Sequence, residues 1–139
     1  MARIRVRAGA ACDDTGMATG SSTVVVSHAC VLASNRAVYA ALAERGATVE
    51  LVVPSRWRNE YRPDGFAADP PGERGGHLRA VRVLGEGRPQ RHAYATRAAS
   101  LLRRVHAGVV LIEEEPFSLA ALQWSRAARL GTQVTWARA

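Results

Sequence analysis

The chain has 139 residues, a length that fits one domain, and a formal net charge of +7 at pH 7. All 19 basic residues are arginines, and they are scattered rather than interleaved with aromatic residues, which argues against a nucleic-acid-binding protein. A basic surface of this kind still favours weak peripheral contact with an acidic membrane. No apolar stretch is long enough to cross a bilayer, so we expect a cytoplasmic protein.

The first 22 residues differ from the rest because they lack a sustained apolar period. This composition predicts a disordered tail over residues 1–22 and a folded domain over residues 23–139. The tail also lacks the apolar core of a signal peptide, and Met17 is an alternative start site. Cys12 falls in this tail and Cys30 in the domain, so we expect two reduced thiols rather than a disulfide framework.

The first elements of the domain are predicted to form a β–α–β unit. β-Branched residues favour a strand over residues 23–27, and after a loop either Ser34 or Asn35 is suited to cap a helix. The helix is predicted to bury one face, which holds Val38, Ala41 and Leu42. Gly46 is expected to end the helix in a left-handed conformation, and a second strand follows over residues 49–53. A unit of about 30 residues is typical of a parallel crossover.

The rest of the chain continues the alternation of strands and helices. Residues 55–76 predict a long irregular segment, and residues 78–84 predict a strand. A helical stripe then holds Tyr94, Ala98, Leu101, Leu102 and Val105. The last elements are a helix end at Gly108, a strand at 109–112, a helix at 117–130 stopped by Gly131, and a strand starting at Gln133. This order predicts an α/β, Rossmann-like fold with a mainly parallel sheet and helices on both faces.

An acidic run follows the third predicted core strand. Glu113, Glu114 and Glu115 stand at its carboxyl end, where open α/β sheets bind their ligands. The dipole of the following helix explains one carboxylate, with Pro116 in its first turn, but not three. Alternate residues of an extended segment share a face, so Glu113 and Glu115 are predicted to bind substrate, such as sugar hydroxyls, ahead of Glu114.

Three further residues near the first strand are candidates for substrate binding. His28 follows that strand at the same predicted sheet edge, where an imidazole can orient a hydroxyl or phosphate or act as a base. The alternative is a loop histidine bonded to nearby backbone. Asn35 and Arg36 open the first helix and can bind an anion there, and the alternative, favoured more strongly for Arg36, is a cap and a solvated charge. No Gly-x-Gly-x-x-Gly follows the strand, which argues against dinucleotide binding.

Other side chains are interpreted as structural or solvent-exposed rather than functional. Trp57 is expected to anchor a loop rather than stack on a sugar, and Arg88, Arg91 and His92 are expected to lie on a solvated face. Cys30 lies near His28 in sequence, which is weak support for a thiolate nucleophile. No metal-ligand spacing is present, and no Gly-x-Ser-x-Gly elbow supports a hydrolase. A small hydrolase-like or redox enzyme is therefore the least favoured hypothesis.

Four stretches together resemble one family. They are VVVSHACVLASNRAVYAALAE at 24–44, VELVVPSRW at 49–57, GRPQRHAY at 87–94 and VVLIEEEPFSLAALQW at 109–124. Over residues 23–136 the chain resembles the amino-terminal domain of GT-B glycosyltransferases of the retaining family 4 group. The EEEPFSLAALQ segment is the most specific part of the resemblance.

The resemblance implies a domain that binds the acceptor, such as a sugar, a lipid-linked sugar or a small metabolite. It implies a second, carboxyl-terminal domain that binds the nucleotide-sugar donor, and no required metal or other cofactor. His28 and Asn35 match the first-strand loop and helix start that line the cleft between such domains, and Glu113 to Glu115 match the acidic segment at its edge.

Two departures from the family pattern limit what the resemblance implies. The glycine-rich first loop common in the family is absent, so details of acceptor binding do not carry over. The donor half is also missing from this sequence, so we expect a truncated domain that is inactive alone and pairs with a donor-domain partner. The competing hypothesis is a non-catalytic α/β binding or interaction module.

Overall fold

The computed structural model describes residues 20–72 and 76–129, and the backbone of residues 133–136. The strands are β1 (Ser22–Ser27), β2 (Val49–Pro54), β3 (Arg56–Asn59), β4 (Arg62–Ala67), β5 (His77–Val81), β6 (Val83–Leu84), β7 (Ala93–Tyr94), β8 (Ala107–Glu113) and β9 (Gln133–Trp136). The helices are α1 (Ala37–Glu44), α2 (Ala98–Arg104) and α3 (Leu119–Ala128). The predictions for residues 1–19, including Cys12 and Met17, and for a stop at Gly131 lie outside the described residues.

A parallel sheet forms the centre of the domain. Within the described ranges its strand order is β5-β2-β1-β8-β9, and every neighbouring pair runs parallel. β-Branched and aliphatic residues make its inner strands almost continuously apolar, as expected where both faces are covered. The predicted α/β, Rossmann-like fold is confirmed, with the difference that Ser22, assigned to the tail, belongs to β1.

The two faces of the sheet bury separate apolar clusters. On one face, Val24, Val26, Val52, Val110 and Ile112 pack against α2 and α3. The other face contacts the segment before α1 and α1 itself, through Val25, Leu51, Val53, Cys30, Val31 and Tyr39. Helical cover on both faces follows from the alternation of side chains along each strand. Each fully buried valine contributes roughly 1.5–3 kcal/mol relative to an exposed one.

The segment between β2 and α2 differs from the prediction in three ways. Residues 55–76, predicted to be irregular, contain the antiparallel hairpin of β3 and β4, in which Trp57 pairs with Phe66. The predicted strand 78–84 splits, because β5 joins the parallel sheet whereas β6 pairs with β7. Tyr94, predicted to be helical, lies in β7, opposite Val83. A local antiparallel pair thus replaces the first turn predicted for α2.

The start of α1 also differs from the prediction, whereas its end agrees. Two short 3₁₀ helices, Ala29–Val31 and Ala33–Arg36, lead into α1, and Arg36 stands at its N-cap without a side-chain cap. The helix buries Tyr39, whereas Val38, Ala41 and Leu42, predicted to be buried, are exposed. Gly46 has φ 92°, and the amides of Gly46 and Ala47 bond to the carbonyls of Ala43 and Leu42 in a Schellman motif.

The boundaries of α2 and α3 are set by residues other than the predicted ones. His106, with φ 51°, turns the chain after α2, and Gly108 lies inside β8. Ser118 caps α3 by accepting a hydrogen bond of 3.0 Å from the amide of Ala121. Pro116 and Phe117 therefore precede the helix instead of forming its first turn. Among the described residues, no helix has the length and apolar character needed to cross a bilayer.

Candidate functional site

The parallel pairing of β1 and β8 brings two side chains together at the carboxyl edge of the sheet. Ser27 pairs with Glu113 at the end of the register, so the next residues, His28 and Glu114, leave the sheet side by side. The backbone amide of His28 donates to Oε1 of Glu114 at 3.0 Å. Nδ1 of His28 lies 2.5 Å from Oε2 of the same carboxylate. The link joins residues 86 positions apart in sequence.

Glu114 is the centre of a buried polar cluster. Only 1% of the residue is exposed, yet both carboxylate oxygens are in use. The Tyr94 hydroxyl donates to Oε1 at 2.8 Å, and Nε2 of His92 lies 3.4 Å from Oε2. We call His28, His92, Tyr94 and Glu114 the edge cluster. Its members come from the β1 loop, the β6–β7 loop, β7 and the end of β8.

The partners of Glu114 keep it ionised although it is buried. Burial raises the pKa of this carboxyl group, but its interactions with His28 and His92 lower the pKa by more than burial raises it, so the net shift is downward. For Tyr94, burial and then the Glu114 carboxylate raise the pKa well above its ordinary value. The phenol therefore stays protonated and donates to the carboxylate.

His92 has no solvent exposure, so the predicted solvated face is wrong for this residue. Nδ1 lies 2.9 Å from the carbonyl oxygen of Pro89 and 3.2 Å from that of Arg88. Burial lowers the pKa of His92, but Glu114 and the two carbonyls outweigh burial and raise it. The ring is thus fixed by its own loop on one side and directed at Glu114 on the other.

Aromatic rings enclose the edge cluster. Trp57, 5% exposed, has its ring centroid 4.9 Å from that of His28 and 5.0 Å from that of His92. The Tyr94 and Trp124 rings meet edge to face at 5.8 Å. Trp57 is packed into the core that covers one face of the sheet, which is the anchoring arrangement expected from the sequence. Low-polarity walls of this kind strengthen the electrostatic interactions inside them.

Helix α3 holds the β7 segment in place. Oε1 of Gln123 accepts from the Tyr94 amide at 3.0 Å, and Nε2 of Gln123 donates to the Tyr94 carbonyl at 2.8 Å. The amide of Leu119 donates to the carbonyl of Gln90 at 3.2 Å. These bonds satisfy backbone groups of β7 and of the preceding loop, and they fix His92 and Tyr94 relative to the sheet.

Asn35 and Arg36 serve the loop that carries His28. Arg36 is buried and donates to the backbone carbonyls of Cys30, Val31, Asp69 and Pro70 at 2.6–3.1 Å. The side-chain amide of Asn35 donates through Nδ2 to the carbonyl of Ala29 at 2.8 Å. Neither the predicted helix cap nor the predicted solvated guanidinium is found. The four carbonyls leave Arg36 little capacity for an anion.

The three carboxylates of the acidic run have different surroundings. Glu113 is half-buried and interacts with Tyr39, whose pKa is raised first by burial and then by this carboxylate. Glu115 is exposed and lines a cleft of about 470 Å³ with Arg88, Pro89, Gln90 and Arg91. Glu114, ranked below its neighbours from the sequence, has the most partners.

Glu114, His92 and Tyr94 were not predicted as site residues. For Glu114 and His92, the sequence does indicate the side of the strand on which the side chain lies. Glu114 has the same parity along β8 as Val110 and Ile112, which face the α2–α3 side of the sheet. His92 stands two residues before Tyr94 in the GRPQRHAY stretch, so the two side chains share a side of an extended segment. Nothing local to Tyr94 indicates that its hydroxyl meets a carboxylate 20 residues away.

Cys30 does not have the surroundings of a nucleophile. The residue is 1% exposed, and burial raises the pKa of its thiol, with the nearby Glu113 and Glu114 carboxylates adding to the rise against the Ser27 hydroxyl and Arg36. A thiolate is therefore disfavoured at neutral pH. The hypothesis of a thiol-based enzyme loses its main support.

No protein-family model matches the chain, and comparisons with curated proteins and with solved structures found no match either.

Proposed function

We propose that the chain is the acceptor-binding half of a glycosyltransferase and binds a hydroxyl-bearing acceptor at the carboxyl edge of its sheet. The observation that carries this proposal is the convergence of His28 and Glu114 at that edge, next to the cleft lined by Glu115 and Arg91. Ligands of open α/β folds bind in this position. The resemblance of the acidic segment to family 4 glycosyltransferases supports the substrate class.

The cleft offers both kinds of group that a sugar or sugar phosphate needs. The Glu115 carboxylate and the Gln90 side chain can bond to hydroxyl groups, and the guanidinium groups of Arg88 and Arg91 can bind a phosphate. All four side chains are exposed, so they can reorient without a change in the fold. Behind them, the edge cluster is the rigid support of the cleft, because Tyr94 and Gln90 are both tied to α3.

Transfer itself needs a nucleotide-sugar site, which the resemblance assigns to a second domain. The proposal therefore includes a donor-domain partner. It also includes a cytoplasmic location with peripheral contact to an acidic membrane, which the net charge of +7 favours.

A non-catalytic interaction module is the second candidate. Phe117, Leu119 and Leu122 are large apolar residues that are 99%, 51% and 46% exposed next to the cleft residue Glu115. Apolar side chains grouped in this way favour a protein contact. A donor-domain motif encoded beside this chain would favour the glycosyltransferase, whereas unrelated neighbouring sequence would favour the module.

The proposal is tested by NMR titration of the labelled chain with glucose 1-phosphate, and separately with glucose. We expect the amide signals of residues 88–91 and 115 to shift with the sugar phosphate, and more weakly with glucose. Arg91→Ala and Glu115→Gln should each weaken binding at least about tenfold, because each removes a charged hydrogen-bonding partner.

Arg104→Ala is the matched control, since it removes another exposed arginine. Arg104 ends α2 near the opposite edge of the sheet, where the Val105 carbonyl accepts from the Ser22 hydroxyl at the start of β1. Binding should be unchanged in this variant. Shifts spread over the whole surface, or equal losses in the Arg91 and Arg104 variants, would contradict a site at the cleft.

A further inference from the structure

Three potential metal ligands from separate segments of the chain converge in the edge cluster. One ring nitrogen from each of His28 and His92 and a carboxylate oxygen of Glu114 all lie within 4.8 Å of one another. His28 is half-buried, and the other two residues are fully enclosed. Imidazole nitrogens and a carboxylate oxygen are donors that first-row transition metals bind in proteins.

The orientation of the His92 ring leaves one nitrogen without a hydrogen-bond partner. Carbonyl oxygens only accept, so the contacts of Nδ1 with the Pro89 and Arg88 carbonyls require the proton on Nδ1. In the neutral ring, Nε2 then carries a lone pair. This buried nitrogen has no hydrogen bond and lies 3.4 Å from Oε2 of Glu114, which is itself an acceptor. Two buried acceptors facing each other need a cation or a proton between them.

We propose that His28, His92 and Glu114 bind one divalent transition-metal ion, with Zn²⁺ the best match to two imidazole nitrogens and one carboxylate oxygen. Zn²⁺ bonds of about 2.0–2.2 Å at tetrahedral angles put neighbouring donor atoms about 3.3 Å apart. The His92–Glu114 separation of 3.4 Å already fits. The His28–Glu114 separation of 2.5 Å must widen once the ion replaces the Nδ1 proton.

The groups behind the three ligands have the arrangement found behind metal ligands. His92 is held through its other ring nitrogen by backbone carbonyls, which fixes both its tautomer and its orientation. Oε1 of Glu114 accepts from the Tyr94 hydroxyl and the His28 amide, which leaves Oε2 to bind the ion. Three protein ligands leave a fourth position for water or a ligand. The partly exposed His28 side is the entry path to the ion.

This inference departs from the expectation of no metal, which rested on the lack of a local ligand spacing and on the family resemblance. It does not depend on acceptor binding, since the ion is held by the edge cluster and not by the cleft arginines. A protonated His92 paired with Glu114 is the competing arrangement. In that arrangement the proton occupies the place of the ion, and the cluster binds no metal.

The test is titration of the chelator-treated, desalted full chain with Co²⁺, whose visible absorption reports coordination by nitrogen and oxygen, followed by displacement with Zn²⁺. We expect one Co²⁺ per chain, displaced by one Zn²⁺, and a higher Tm in Zn²⁺ than in chelator. His92→Gln and Glu114→Gln should each weaken binding at least about tenfold. His28→Gln should do the same, and it is the variant least expected to disturb folding because this residue is partly exposed.

The double variant His77→Gln/His106→Gln is the matched control, because it removes the other two of the four histidines, both exposed. It should bind Co²⁺ as the unmodified chain does. Circular dichroism in the presence of chelator establishes which variants fold. If His92→Gln and Glu114→Gln do not fold, His28→Gln decides the test. Absence of stoichiometric Co²⁺ binding, unchanged binding in His28→Gln, or loss in the control would each overturn the proposal.

Discussion

Arg36, in the segment after β1, and Glu114, directly after β8, are both buried ionisable residues, but their partners differ. Arg36 uses four of its N–H groups on four backbone carbonyls, which tie the loop to the Asp69–Pro70 segment. Glu114 is bonded mainly by side chains, and Nε2 of its neighbour His92 has no hydrogen-bond partner. A buried charge whose partners are all backbone is a structural support. One surrounded by titratable side chains keeps the capacity to bind something else.

The largest expected effect comes from Arg36→Ala. The substitution leaves four carbonyls without their donor and releases the loop, so we expect the free energy of unfolding to fall by roughly 3–4 kcal/mol. Arg36→Lys should recover only part of the loss, because an ammonium has three donors and cannot reach four carbonyls in a fixed fork. Urea unfolding followed by tryptophan fluorescence measures both. Full recovery in the lysine variant would mean that charge, and not the hydrogen-bond pattern, holds the loop.

A somewhat smaller effect is expected from Glu114→Ala. In the presence of chelator, removal of the carboxylate leaves the Tyr94 hydroxyl and the His28 amide without an acceptor. We expect the free energy of unfolding to fall by about 2–3 kcal/mol. Glu115→Ala removes an exposed carboxylate of the same run and should change the free energy by less than about 0.5 kcal/mol. Equal losses in the two variants would show that the acidic run acts through its charge near α3 and not through the edge cluster.

The smallest effect concerns Cys30, which lies between the two regions because its carbonyl binds Arg36 and its thiol lies near Glu113 and Glu114. Burial and the raised pKa should make alkylation of this thiol by iodoacetamide at pH 8 at least about tenfold slower than in urea. Peptide mass spectrometry follows the residue. Arg36→Ala should speed the reaction, whereas Glu115→Ala should not. Fast alkylation of the unmodified folded chain would restore the thiol-enzyme hypothesis.

Sequence patterns predicted the sheet because its strands are short β-branched runs. Residues 24–26 and 109–112 place apolar side chains on both faces of the sheet, so both faces must be buried. The helices that alternate with the strands bury them. The register of α1 was not predictable in the same way. Two 3₁₀ helices precede α1, and they rotate it so that Tyr39 is buried instead of Val38 and Leu42. A hydrophobic pattern with a period of 3.6 residues does not show how the preceding segment rotates the helix about its axis.

The sheet edge was predicted, but the chemistry of the site was not. His28 was found because its place depends only on the end of a strand. Glu113 and Glu115 were predicted from the acidic run alone. The alternation that places Val110 and Ile112 on one face of the sheet continues to Glu114. The spacing of His92 and Tyr94 indicates that they share a side of an extended segment, but the burial of His92 depends on a loop that folds back onto the start of α3 through the Gln90 carbonyl. Contacts of this kind are tertiary and leave no local pattern.

Gln123 has a practical consequence for anyone redesigning this chain. Its side chain pairs with both main-chain groups of Tyr94 and so serves as one residue of an additional strand. A glutamate cannot donate, and an asparagine is one methylene shorter, so no conservative replacement reproduces both bonds. Libraries that vary the outward residues Leu119 and Leu122 should therefore keep position 123 constant. The exposed surface of α3 can then be varied while Tyr94 keeps both of its hydrogen bonds to Gln123.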